Sequence, residues 1–182
     1  MRPVVRMSVL AMAFGVTTMA SMAQAPAAPA APVASGPAAE VQRSYAGAKK
    51  NILKSADEMP AENYQYKPEP DIRTYARVLT HIIEAQFGSC GTANGVKDIA
   101  KPPAETADKA TIVAALNASF EECDKAMAAL TDANALEMVT AGQRKRSRIG
   151  LMWGTVAHDQ EQYATLALYL RLKGLTPPSS EK

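Results

Sequence analysis

Several residue types that carry common chemistries are scarce or missing in this chain. It has two histidines in 182 residues, so any imidazole chemistry must involve His81 and His158. There are two cysteines, enough for a single disulfide and no more. No G-x-G-x-x-G, P-loop or G-x-S-x-G sequence occurs, which removes the dinucleotide-binding, NTP-binding and nucleophile-elbow readings. Runs of alternating β-branched residues are also lacking, so nothing competes with helical periodicity and the expected class is all-α. Charge of one sign is not in excess. The formal +2 of the full chain falls to about zero once Arg2 and Arg6 are removed with a leader, and a neutral domain is a poor ligand for nucleic acid. Arg144-Lys-Arg-Ser-Arg148 is the one basic cluster, read here as a solvated connection or the start of a helix.

What is present begins with an export signal. Met1 to Ser8 carries two arginines, Val9 to Met19 is apolar and uncharged, and Ser21-Met-Ala23 supplies small residues. That order is a secretory signal peptide cleaved after Ala23, which places the mature chain in the periplasm or outside the cell. The apolar run is too short to cross a bilayer comfortably, so no stable membrane insertion is expected after cleavage. Residues 24–39 are dominated by Ala and Pro and read as a disordered linker. The folded domain is expected over residues 40–182.

Four helices fit the apolar periods of that domain. The first runs from about Ala38 to Met59 with Val41, Tyr45, Ala48, Ile52 and Ala56 on one face, and Met59-Pro60 ends it. Ala61 to Pro70 has no helical period and is expected to be an ordered loop covering one end of the core. Asp71 is the expected cap of the second helix, whose stripe is Tyr75, Val78, Leu79, Ile82, Ile83, Phe87 and Cys90. His81 stands beside it. Asp108 caps the third helix, which buries Ile112, Leu116, Phe120, Cys123 and Met127. The fourth begins near Arg144 or Ser147 and runs to Lys173, where Gly174 and Pro177-Pro178 stop it. Trp153 is expected in its core, and Tyr163 and Tyr169 are expected to pack with a polar tip. The connection from Gly91 to Asp108 is long for an antiparallel turn, so it should cross over along the bundle. The architecture is therefore a four-helix bundle with a long crossover between helices two and three. An oxidising compartment would allow a Cys90–Cys123 disulfide, while the apolar helical position of each also suits two separate buried thiols.

Three stretches then point to a family. His81 in the second helix, His158-Asp-Gln-Glu-Gln-Tyr163, and Tyr169-Leu-Arg-Leu-Lys-Gly-Leu-Thr-Pro-Pro-Ser-Ser180 resemble the DinB-like (YfiT-like) four-helix-bundle family over roughly residues 40 to 180. The resemblance implies a divalent metal held by one histidine of helix two and an H-x-x-x-H pair of helix four. Here these positions are His81, His158 and Gln162. An amide oxygen is a weak ligand for zinc or nickel, so the implied ion is weakly bound, with water, Glu84 or Glu161 able to assist.

Two function classes follow. The first is an exported, non-catalytic bundle with a degenerate metal site that binds a small molecule, a metal or a partner protein. The alternative implied by the resemblance is a metal-dependent thiol S-transferase or isomerase. The missing third histidine and the export signal both favour the first, since the thiol cofactors of such enzymes belong to the cytosol. Partners left open are a small molecule and a second copy of the chain in a homodimer.

Overall fold

The computed structural model describes residues 35–181. The expected signal peptide and residues 24–34 of the linker lie outside them. The linker's last residues are already helical, because α1 spans Pro37–Glu58 and proline is well suited to a first helical turn. Its buried stripe is Val41, Tyr45, Ala48, Ile52 and Ala56. Pro60 then holds Met59 in extended backbone and ends the helix.

The second helix, α2, spans Tyr75–Asn94 and is capped by Thr74, whose hydroxyl accepts from the Arg77 amide at 3.0 Å. Asp71 is not the cap. The amides of Tyr75 and Ala76 donate to the carbonyls of Tyr66 and Tyr64, so the preceding loop fixes where the helix starts. That loop closes one end of the core as expected: Tyr64 is buried edge-on to Tyr75, and its hydroxyl donates to the Ala56 carbonyl at 2.7 Å. Tyr75 donates to Ser55 O and Tyr169 to Arg73 O, each at 2.7 Å. Burial pushes all three phenols above their ordinary pKa.

Helix α3, Lys109–Ala129, is capped by Asp108, which accepts from the Thr111 amide at 2.7 Å. Helix α4, Arg148–Leu172, is capped by Ser147. Its buried face includes Met152, Val156, Asp159, Gln162, Leu166 and Leu170. Trp153 is 40% exposed and not core as expected. One residue past Met152 means about 100° around the helix, which places it with exposed Ala157, Ala164 and Leu168.

Pairings across the helices give the topology. Gln86 meets Ser119 and Cys90 meets Cys123, so α2 and α3 run parallel. His81 meets His158, while Tyr169 reaches back to Arg73, so α2 and α4 run antiparallel. Likewise Tyr45 meets Asp124 and Gln42 meets Met127, which sets α1 antiparallel to α3. Parallel neighbours need a connection that returns along the bundle, and residues 95–108 provide it. A helix of α2's length is about 30 Å long, and an extended chain of the connection's length reaches beyond that. Cys90 and Cys123 form a disulfide with Cα atoms 4.9 Å apart.

One element has no counterpart in the helical reading. Strands β1 (Met138–Ala141) and β2 (Arg144–Ser147) form an antiparallel hairpin before α4. Ala141 pairs with Arg144, and Gly142 at φ 60 takes the first of the two loop positions, as a two-residue hairpin of the II′ kind requires. The basic cluster lies on β2. Strands of four residues with little buried surface show no apolar alternation, which is why the sequence did not announce them. Hydrogen bonds from Arg148 N to Glu137 O and from Ile149 N to Ala135 O tie the hairpin to the start of α4. Among the described residues no helix is long and apolar enough to cross a membrane.

Candidate functional site

The antiparallel packing of α2 on α4 brings the two histidines of the chain into contact. Their Nε2 atoms are 3.2 Å apart, and the rings meet edge to face with centroids 4.9 Å apart. About a quarter of each side chain remains open to solvent, 27% for His81 and 25% for His158. Neither Nδ1 has a hydrogen-bond partner, although both are buried. Each faces a carboxylate: Glu84 Oε2 is 3.8 Å from His81 Nδ1, and Asp159 Oδ1 is 4.0 Å from His158 Nδ1. These distances are too long for hydrogen bonds.

Burial holds His81 below the ordinary imidazole pKa, and the charges of Arg73, His158 and Arg77 push it further down against the opposing pull of Glu84. Asp159 moves the other way. It is fully buried, and loss of water raises its pKa more than the polar contacts with His158 and Gln86 lower it. Its Oδ2 accepts from Gln86 Nε2 at 3.0 Å, and Gln86 Oε1 accepts in turn from Ser119 Oγ at 2.7 Å. Oδ1 has no partner. A polar chain thus runs from α3 through α2 to α4 and stops beside His158.

Sequence reasoning did not single out Asp159, Gln86 or Ser119 for this site. A signal existed, since Asp159 follows Met152 and Val156 at helical spacing, and Gln86 follows Leu79 and Ile82 in the same way. Polar residues on an apolar stripe need partners inside the fold. Gln162, the third expected site residue, lies one turn beyond His158 on α4 and is 8% exposed. Among the described residues no three His, Cys, Asp or Glu side chains converge in a metal-binding cluster.

The donor set nevertheless fits an ion in one respect. Two nitrogens on a tetrahedral zinc, each about 2.0–2.1 Å from it, stand about 3.3 Å apart, close to the observed 3.2 Å. Nε2 coordination would leave the proton of each ring on Nδ1, facing Glu84 and Asp159. Carboxylates in that position commonly orient metal-ligating histidines. The buried Nδ1 atoms and Asp159 Oδ1, unpartnered at 3.8 and 4.0 Å, would need to draw closer by about 1 Å to make such bonds.

Beside His158 a cleft of about 130 Å³ opens between α2, α4 and the hairpin, lined by Ala85, Ser89, Leu151, Thr155 and Arg146. A larger and shallower cavity of about 430 Å³ lies near Asp57, Lys109 and Val113. It contains neither histidine, and the Lys109 ammonium is already bound by the carbonyls of Asp57 and Met59.

Several solved structures share the fold. A DinB-like protein from Bacillus subtilis superposes with a TM-score of 0.62 at 14% identity, over 75% of this chain and 93% of that one. Another from Bacillus cereus gives a TM-score of 0.61 at 17% identity, over 76% and 93%. No curated protein matches the sequence. Residues 44–166 match the DinB superfamily, a span that includes His81 and His158, and the chain belongs to that superfamily.

Proposed function

We propose that this protein is an exported DinB-type bundle that binds a divalent ion, zinc or nickel, weakly between His81 and His158, and that it acts by binding rather than by catalysis. The observation that carries the reading is the 3.2 Å separation of the two Nε2 atoms. With two imidazoles, the ion would complete its shell from water, a ligand or the Gln162 amide. A neutral amide contributes little, which makes the affinity low. Bound, such an ion supplies a Lewis acid. The chain's own part is to hold the rings: Asp159, anchored by Gln86, faces His158, and Glu84 faces His81.

Export is inferred from the order of charge, apolar run and small residues at positions 1 to 23. The reading of a metal-dependent thiol transferase is kept second because the cleft beside His158 offers room for a small ligand. Calorimetric titration of the chelator-treated protein with zinc and with nickel tests the first reading. One ion per chain should bind, and His81→Ala and His158→Ala should each abolish it. Absence of binding by a folded protein, or binding that survives both substitutions, would refute it. Conjugation of a low-molecular-weight thiol to an electrophile, dependent on the bound ion, would promote the enzyme reading.

A further inference from the structure

Arg146 belongs to β2, yet its guanidinium lies against α4. Its Nη2 donates to the Gly150 carbonyl at 2.7 Å. One turn on, a Cβ at Gly154 would stand 2.9 Å from Nη2, 3.0 Å from Nη1 and 3.3 Å from Cζ. The nearest of these contacts is closer than real Cβ atoms come, so a side chain at position 154 would make the flexible tip of Arg146 shift by a few tenths of an ångström, and the glycine leaves it where it is. Two glycines at i and i+4 share one helical face, and on α4 that face receives the arginine. The hairpin overlooked in the sequence thus delivers a permanent cation to the wall of the cleft that also holds His158.

The rest of that wall is neutral. Ala85 and Leu151 supply apolar surface, and the hydroxyls of Ser89 and Thr155 are hydrogen-bonded to each other at 2.9 Å. No carboxylate lines the cleft. Nearby carboxylates are engaged elsewhere: Glu84 stands 3.7 Å from the Arg77 guanidinium, and Asp159 is buried against Gln86. The electrostatic balance around the cleft therefore favours an anion. A volume of about 130 Å³ restricts that anion to a few heavy atoms, with a short alkyl part against Ala85 and Leu151. A guanidinium with one N–H committed keeps others for a carboxylate, and charge-assisted bonds of that kind are the strong ones.

We propose that this cleft binds the carboxylate of a small monocarboxylic acid, with Arg146 as its cationic partner and Gly154 as the position that makes room for it. The proposal names the ligand class of the histidine site, and it rests on the metal reading only for what the ligand's far end meets. The test is a ¹H–¹⁵N NMR titration of the chelator-treated protein with propionate, and in parallel with propionamide, the neutral analogue of the same shape. Propionate should give saturable shifts centred on Gly150, Gly154 and Thr155, and propionamide should give none. Arg146→Gln should weaken propionate at least tenfold, and Arg146→Lys should retain part of the affinity. Gly154→Ala provides an independent variant: alanine improves helix propensity, so the fold is maintained, yet the new methyl shifts the tip of the guanidinium and should weaken binding measurably, by less than Arg146→Gln does. Equal shifts from propionamide, no saturable response to propionate, or undiminished affinity in Arg146→Gln would overturn the proposal. Propionate binding in a protein that takes up no zinc would remove the metal and keep the cleft, whereas zinc uptake without propionate binding would do the reverse.

Discussion

Gln86 Nε2 donates a 3.0 Å hydrogen bond to Asp159 Oδ2 in the interior of the bundle, so α2 and α4 are joined by a buried polar contact next to the histidine pair. Asp159→Leu leaves the Gln86 amide without that acceptor, which should cost about 1–3 kcal/mol. Asp159→Asn keeps an acceptor oxygen and removes the buried charge, so at pH 7 it should equal or exceed wild type. Because burial raises the carboxyl's folded pKa above its ordinary 3.8, its favourable contribution is complete below that value and is lost as pH rises through the folded pKa. The stability of Asp159→Asn relative to wild type should therefore increase from pH 4 to pH 7 in metal-free protein. Urea midpoints at the two pH values measure it, and a difference that does not change with pH would contradict the argument.

Gln162→His places a third imidazole one turn from His158 on the same side of α4. Zinc or nickel affinity should rise several-hundred-fold or more, about 3–5 kcal/mol. The gain should also appear as a metal-dependent increase in Tm, because an ion that binds only the folded state stabilises it. Calorimetry on the folded variant that finds no tighter binding would show that position 162 does not reach the ion.

Zinc binding should weaken with acid. A protonated imidazole cannot ligate, so metal and protons compete. His81 is held below the ordinary value of 6.5 by burial and by neighbouring positive charge, so it stays neutral into mildly acidic solution. In metal-free protein the sign is the usual one for a depressed pKa: stability from this residue is present above 6.5 and is lost as pH falls through the folded value. Titrations with zinc from pH 8 to pH 5 should show affinity falling across the acid end. Affinity independent of pH would exclude imidazole ligands.

The Cys90–Cys123 disulfide closes a loop with a sequence separation of 33, and for a loop of that size the chain-entropy argument gives about 3–4 kcal/mol. Reduced protein should unfold at correspondingly lower urea. Coincident midpoints for the oxidised and reduced forms would show that the bond constrains little in the unfolded chain.

N-terminal sequencing of protein from the extracytoplasmic fraction of the native host should read from Gln24 or close to it. A chain that still begins at Met1 in the cytosolic fraction would exclude export.

The four helices are legible in the sequence because each has a continuous apolar stripe, and the Asp108 cap and the Met59-Pro60 stop are local signals that the structure keeps. The cap of α2 was displaced from Asp71 to Thr74 by main-chain bonds to Tyr64 and Tyr66, which no local pattern records. Hydrophobicity alone assigns Trp153 inward, although it stands about 100° around α4 from Met152. His81 and His158 were recognisable as a pair through the family resemblance, whereas their 3.2 Å contact depends on the register of α2 against α4. In the sequence Arg146 is one member of a charged run. Its place beside His158 arises from a hairpin whose strands bury too little to leave a period in the sequence.

The crossover between α2 and α3 lies inside the covalent ring closed by Cys90 and Cys123. Its segment from Val96 to Lys101 is exposed and contains Lys97, a natural site for a trypsin-like protease, whereas Pro102 protects the bond after Lys101. A nick there leaves two pieces still joined through sulfur. Such a protein would migrate as one band without reductant and as two with it, and it would keep α2 and α3 together after its main chain had been cut. For a domain read as exported to a compartment that contains proteases, the disulfide therefore makes this exposed connection of the bundle dispensable as a continuous chain.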